Sequence, residues 1–233
     1  MSFFNLPKFG KKSKRTSTGS DSHHIFHLPG KSHPEAAEHP PLFLLPSLAN
    51  SALLKGRIRP LVERPKYVDP NEWLASQVFD FFEYINLFYG ALSEFCTLSE
   101  CPCMSAGPSH EYTWTDNSLR NAKLPAPQYI DYVMTWIQNL LDDEAVFPTK
   151  AGNEFPRGFP SVVRAIVKQI FRVFAHIFYS HYDKLLHLTA ERHFNSLFSH
   201  FMTFCREFDL LDKKEVAPMA DLIQLWEANG VFA

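Results

Sequence analysis

Several things are missing from this chain, and each absence closes off a class of function. No apolar run is long enough to cross a bilayer, so no membrane insertion is expected. The polar N-terminus has no apolar core of the kind a secretory signal needs, which points to an intracellular protein. Glycine is scarce, nine in 233 residues, and alternating apolar–polar runs of useful length are absent apart from short candidates near Tyr112 and Trp114. A turn-rich β-fold is therefore disfavoured. There is no HExxH, no Gly-rich phosphate loop and no nucleophile elbow, so a metal-dependent hydrolase lacks its usual machinery. Only four cysteines occur, none as CxxC, which leaves a thiol redox protein without its motif. A dense basic footprint for nucleic acid is missing too, since beyond residue 41 the chain has 17 Lys/Arg against 22 Asp/Glu. An acidic body of this kind is compatible with a basic protein partner.

What is abundant is phenylalanine, 22 residues, set in long helical patterns. Residues 1–41 stand apart, with six Lys/Arg against three Asp/Glu and five of the eleven histidines. This stretch reads as a disordered basic and polar tail. Lys11, Lys12, Lys14 and Arg15 beside Thr16, Ser17 and Thr18 are either part of that soluble tail or a target for a basophilic kinase. The folded body, residues 42–233, opens where LFLLPSLANSALL turns apolar. RPLVERPKYVDPNEW then reads as an extended connector, because each proline pushes the residue before it out of the helical region.

Helical spacing predicts a first helix from Pro70 or Asn71 with Leu74, Val78, Phe81, Phe82, Ile85, Phe88 and Leu92 on its core face. Off that face lie Glu72, Trp73, Phe79, Asp80 and Glu83. Aromatics among carboxylates on an outward face mark either a protein-binding surface or a surface covered by the N-terminal segment. A second helix follows Pro125 and Pro127 and carries Ile130, Val133, Met134, Ile137, Leu140 and Leu141. The segment FPTKAGNEFPRGFP is too rich in Pro and Gly for a helix. A third helix after Pro160 places Val163, Ile166, Val167, Ile170, Phe174 and Ile177 inward and Arg164, Lys168 and Arg172 on another face, as a solvated stripe or an anion site. A fourth runs through Phe194, Leu197, Phe198, Phe201, Phe204 and Phe208. Asp212 and Glu215 have the spacing of a capping box opening a last helix to about Glu227, ended by Gly230. The expected class is all-α.

Three cysteines, Cys96, Cys101 and Cys103, interrupt this pattern in one irregular stretch, EFCTLSECPCMSAGPSHEYTW. In a reducing compartment such a cluster is metal-bound or reduced rather than disulfide-bonded. Zinc takes four ligands in a tetrahedron, commonly two thiolates and two imidazoles. Cys96 and Cys101 offer the thiolates, and His176 and His181 are the best candidates for the imidazoles. Five residues of ideal helix turn through about 140°, so both rings can face one ion only if the third helix ends or bends between Tyr179 and His181. His187, His193 and His200 compete for the histidine places, and Cys103 for that of Cys101. The competing reading is a set of reduced thiols in a packed loop beside partly buried histidines. A four-ligand site would be structural, with no open position for water.

The segments YVDPNEWLA, FFEYINLFYGALSEFC, CPCMSAGPSHEYTW, APQYIDYVMTWIQ, FPTKAGNEFP, FRVFAHIFYSHYDKL and FCREFDLLDKKEVAPM occur in order from about Pro41 to Trp226. Together they resemble the Mob (Mps-one-binder) family, non-catalytic coactivators of NDR/LATS-class AGC kinases. ALLKGRIRPLVERPKYVD and DEAVFPTK resemble the second branch of the family, which pairs with NDR kinases. The resemblance implies a Mob domain over 42–233: an all-α fold on a four-helix bundle, with a structural zinc (Zn2+) tying the Cys loop to the end of a core helix. Its zinc ligands match Cys96, Cys101, His176 and His181, with Cys103 a neighbouring thiol. Its kinase-binding face maps to Glu72, Trp73, Asp80 and His200, where the basic N-terminal regulatory helices of the kinase would dock to give a heterodimer. Val68 stands where the first branch has a carboxylate, which alters part of that charge pattern. The phosphopeptide patch of the first branch is matched by Lys168 and Arg172, but Gln169 replaces a second consecutive basic residue. A neutral amide supplies neither charge nor fork geometry, so weak or absent phosphopeptide binding is expected. The family role further implies no enzyme activity, a Hippo-like or morphogenesis pathway, and residence in cytoplasm and nucleus, with the cell cortex or sites of polarised growth as further places.

Overall fold

The computed structural model describes residues 40–54, 58–115, 121–150 and 152–232. The basic tail and the candidate kinase target at Lys11 to Thr18 lie outside the described residues. In chain order come a 3-10 turn (Leu42–Leu44), α1 (Pro46–Ala49), α2 (Arg59–Val62), α3 (Pro70–Leu92), β1 (Thr113–Trp114), β2 (Ala122–Lys123), α4 (Ala126–Leu141), α5 (Phe159–Ser180), α6 (Tyr182–His187), α7 (Glu191–Glu207), α8 (Lys213–Val216), a second 3-10 turn (Ala217–Met219) and α9 (Ala220–Ala228). The expected all-α class is what the chain adopts, with α3, α4, α5 and α7 as its long helices. The two strands form an antiparallel ribbon pairing Thr113 with Lys123 and Trp114 with Ala122.

Local chemistry sets the helix limits. Asp69 caps α3 by accepting from the backbone N–H groups of Asn71 and Glu72, at 2.8 and 3.2 Å, and Pro70 occupies the first turn, where its missing N–H costs nothing. The inward face expected for this helix is buried at Leu74, Val78, Phe81, Phe82, Ile85 and Leu92, while Phe88 is half-buried. α5, like the middle of α7, is buried on nearly all sides. From Ile170 to Phe178 every residue but Arg172 is buried, the mark of a helix enclosed by its neighbours. Its helical geometry stops at Ser180, and His181 has φ −136° and ψ 13°.

The phenylalanines explain how α5 is enclosed. Phe174 and Phe178 meet Phe194, Phe198 and Phe201 of α7 at centroid separations of 4.9–5.4 Å, in tilted and edge-on arrangements. Such pairs add about 0.5–1.5 kcal/mol each beyond burial. The segment before α3 closes one end of this core. Phe43 packs edge-on against Phe178 and Tyr179, and the buried Trp226 of α9 donates from Nε1 to Ala49 O at 2.8 Å.

Three expectations need correction. The connector is not extended throughout, because RPLV forms the helical turn α2. Pro60 sits in its first turn, where backbone N–H groups lack intrahelical partners in any case. The last helix is not continuous either: Pro218 has no N–H to give, and the chain passes through a 3-10 turn before α9 begins. Only half of the expected capping box forms. Asp212 accepts from the Glu215 N–H at 2.9 Å, but the Glu215 side chain turns to Lys168 and Arg172. Gly230, at φ 70°, closes α9 as expected, with Val231 N–H donating to Trp226 O and Gly230 N–H to Glu227 O.

In the cysteine loop, Gly107 has φ +71°, and a Cβ there would lie 2.7 Å from Tyr179 Cε1. Both the backbone and the contact therefore require glycine. Gly107→Ala is expected to destabilise the protein by about 1–3 kcal/mol in urea unfolding.

Candidate metal centre and flanking surfaces

The cysteine stretch is anchored before it presents any donor. Cys96 N–H donates to Leu92 O at the end of α3, and Cys101 N–H to Thr97 O, so the two thiols flank a tight turn. The far side is tied down by Ala126 N–H to Cys101 O at 3.0 Å, Met104 N–H to Leu124 O at 2.9 Å and Tyr112 N–H to Met104 O at 2.8 Å. His176 lies in the last turns of α5 and His181 directly after the helix. The break at Ser180 removes the angular conflict of a continuous helix, and the two rings stand 5.2 Å apart between centroids.

Cys96, Cys101, His176 and His181 are all buried, and their donor atoms lie within 4.8 Å of one another. Cys96 Sγ is 3.6 Å from His176 Nε2, and Cys101 Sγ is 3.6 Å from His181 Nε2. A tetrahedral zinc ion with ordinary Zn–S and Zn–N bonds would place sulfur and nitrogen about 3.6 Å apart. The orientation of His176 also fits. Its Nδ1 lies 2.8 Å from Ser105 O, and because a carbonyl only accepts, Nδ1 carries the proton and Nε2 keeps a lone pair toward the sulfurs. These residues can hold one divalent ion. Cys103 is outside the cluster, half-buried, with Sγ toward Met104 O, while His187 and His193 are exposed elsewhere. Four side-chain donors complete a tetrahedron and leave no position for a reactive water.

Burial sets the protonation of this site. It pushes the Cys96 thiol up to about 12, with Cys101 adding to the effect, and pushes Cys101 up as well. It pushes His176 down to about 4 and lowers His181. Both imidazoles are thus already in the ligating, neutral form, while both thiols hold protons that an ion must displace. Burial holds the neighbouring Tyr89 hydroxyl protonated beside Cys96.

The other residues singled out in the sequence fall on two surfaces. Glu72 and Asp80 are exposed on α3, with Phe79, Tyr84 and Leu87 also outward and Leu87 71% exposed. Trp73 is half-buried, its Nε1 donating to Val62 O of α2 at 3.0 Å. The two readings of this face therefore divide: the preceding segment partly covers Trp73, and Phe79 stays open. His200 of α7 packs edge-on against Phe81 with centroids 4.9 Å apart, and its Nε2 is buried without a hydrogen-bond partner. Burial lowers its pKa, against which the nearby Asp80 pulls upward.

On the far side, Lys168 Nζ meets Glu215 Oε1 at 2.6 Å and Arg172 meets Glu215 Oε2 at 3.4 Å. Arg172 also donates to Tyr129 Oη at 2.9 Å, and Tyr129 donates to Gln169 Oε1 at 2.8 Å. Sequence reasoning missed Glu215 as the internal counter-ion, because its spacing from Asp212 read as a cap. The Ser105 carbonyl had no signal at all, since every residue has one.

Fold and site define a class: a helical bundle whose Cys2His2 cluster joins a loop to the end of the central helix. Comparison of sequences narrows it. Residues 50–219 match the model of the Mob1/phocein family, and the chain belongs to that family. It is 49% identical over 189 residues to the maintenance of ploidy protein mob2 of Schizosaccharomyces pombe, covering 81% of this chain and 78% of that one. It is 46% and 47% identical to the CBK1 kinase activator proteins MOB2 of Candida albicans and Saccharomyces cerevisiae, over 82% and 81% of this chain. The chain spans 61% and 66% of those two relatives' lengths. Their names describe activators of a kinase and not catalysts.

Ion binding at this cluster must expel two thiol protons while the imidazoles are already free. Its affinity is expected to rise about 100-fold per pH unit between pH 6.5 and 8, measured by competition with a chromophoric chelator. Cys101→Ser is expected to lose the bound ion and lower the melting temperature by roughly 10 °C.

Proposed function

We propose that this protein is a non-catalytic regulatory subunit that binds and activates an NDR/LATS-class AGC kinase in a Hippo-like or morphogenesis pathway, with a structural zinc at Cys96, Cys101, His176 and His181. The observation that carries the reading is the outward face of α3. A helix whose other face is core exposes Phe79, Tyr84 and Leu87 among the carboxylates of Glu72, Asp80 and Glu83. Among the described residues, none of the ion pairs involves those three carboxylates. Unpaired negative charge beside exposed rings is complementary to an Arg/Lys-rich amphipathic segment, the chemistry of the kinase's N-terminal regulatory helices. Membership of a family whose relatives are named kinase activators supports the same partner class.

In this reading Glu72 and Asp80 steer the basic segment to α3, and Trp73 and the exposed rings supply apolar area once it lands. His200 presents its ring between α3 and α7, beside Asp80. The zinc when bound supplies rigidity, and the chemistry remains the kinase's own. Ordering its regulatory segment on this platform biases the kinase toward its active arrangement, a shift of population within a heterodimer. The alternatives, a zinc-dependent hydrolase or a thiol redox protein, have no supporting observation: four donors fill the ion's tetrahedron, and the loop thiols sit in that same donor set.

The Lys168–Arg172 patch has no role as a strong phosphate receptor here. Glu215 already supplies the anion, and Gln169 is spent on Tyr129.

The double charge reversal Glu72→Lys with Asp80→Lys is expected to weaken kinase association by about 10–100-fold and to make the residual binding less salt-sensitive, with ion content unchanged. Unchanged affinity in a pull-down titration would place the docking face elsewhere. A phosphothreonine peptide is expected to bind more weakly than low micromolar. Low-micromolar binding that disappears in Arg172→Ala, read by fluorescence anisotropy, would contradict this assignment.

A further inference from the structure

The four donors of the candidate centre are not equally placed. Cys96 and His176 are 2% and 1% exposed, and the His176 ring is held by the Ser105 carbonyl. Cys101 is 7% exposed; His181, at 2%, is as buried as Cys96, but it and Cys101 line an open groove of about 700 Å3 between the loop after α3 and the junction of α5 with α6, which Cys96 and His176 do not. Glu94, Glu100 and Asp183 stand along this groove. Its cation, Lys184, pairs with Asp183 at 2.8 Å and lies over the Phe95 ring at 5.6 Å. Three carboxylates against one ammonium leave the groove net negative where it meets Cys101 and His181, and Glu94 and Glu100 join no ion pair among the described residues.

Taking the Cys2His2 centre proposed above as given, we propose that this groove is the door of that centre: divalent cations enter and leave past Cys101 and His181, and Glu94, Glu100 and Asp183 capture them. A hydrated divalent ion exchanges water for protein donors one at a time, so the donors at the groove meet it first. Cys96 and His176 then complete the shell from beneath. A concave wall of carboxylates raises the local concentration of cation and speeds encounter by an amount that falls with ionic strength. The two displaced thiol protons leave to water through the same opening. Exit follows this path in reverse, so the field that speeds an incoming cation slows an approaching anionic chelator.

Uptake of Co2+ by the metal-free full chain, followed by thiolate-to-cobalt absorbance in stopped flow, tests the assignment. The variant Glu94→Gln, Glu100→Gln, Asp183→Asn is expected to take up Co2+ about tenfold more slowly at low salt and to lose most of the salt dependence, while still binding one ion per chain. Asp142→Asn with Asp143→Asn is the control. Ala126 N–H bonds Cys101 O, and the 16 residues of α4 put Asp142 about 24 Å from that end. This control is expected to match wild type. If metal-free chain unfolds, as judged by circular dichroism, the holoprotein is used: EDTA should extract the ion about tenfold faster from the groove variant, and neutral phenanthroline at a rate within about twofold of wild type. One ion bound with unchanged rates in the groove variant, or equal effects in the control, overturns the door alone. A wild-type chain that takes up no ion overturns the metal centre itself.

Discussion

The structure depends on two sequence-distant points meeting at one spot. Cys96 and Cys101 leave the end of α3, His176 and His181 leave the end of α5, and burial makes their meeting conditional. Without a cation the pocket holds two protonated thiols whose pKa values burial has raised, beside two imidazoles it has kept neutral. Bringing those four groups together buries polar atoms for little return unless an ion draws them into thiolate and imidazole coordination. An ion held there would cross-link points some 75 residues apart and remove freedom from the unfolded chain. The termination of α5 at Ser180 is therefore the local event that makes the tie geometrically available.

The tie has consequences beyond the loop. α5 is enclosed on nearly all sides through its second half, so its C-terminal end cannot move without disturbing the Phe174 and Phe178 contacts with α7. α3 packs along α5 and begins the loop that carries both cysteines. Fixing the loop thus fixes α3 at its C-terminal end, while Trp73, donating to Val62 O, ties its first turn to α2. In the proposed reading, the outward face of α3 is then presented on a rigid support, which would lower the entropy lost on docking.

Charge is distributed differently on the two candidate faces. Lys168 and Arg172 of α5 turn to Glu215, Tyr129 and the Tyr112 ring, while Arg164 of the same stripe stays exposed. The carboxylates of α3 have no such internal partner among the described residues. Family resemblance placed interaction residues on both surfaces, and the proposed reading favours α3 because Lys168 and Arg172 already share the Glu215 carboxylate.

Much of this was legible in the sequence. Helical periodicity marked the inward faces of the long helices, Asp69–Pro70 marked the start of α3, and Gly230 the end of α9, because those signals act within one or two turns. The Cys and His pairs were identifiable as candidates, and the 140° conflict between His176 and His181 predicted a break that the fold contains. Sequence also left His187, His193, His200 and Cys103 in contention, since spacing says nothing about which elements cross. Only tertiary structure decided that Cys96 meets His176, that Ser105 orients the ring, that Glu215 abandons a local cap for Lys168 and Arg172, and that Pro218 divides the last helix. The physical reason is range. Propensity, capping and periodicity are set by neighbours along the chain, whereas ligation, counter-ion choice and burial depend on which distant segments the aromatic core happens to bring within a few ångströms.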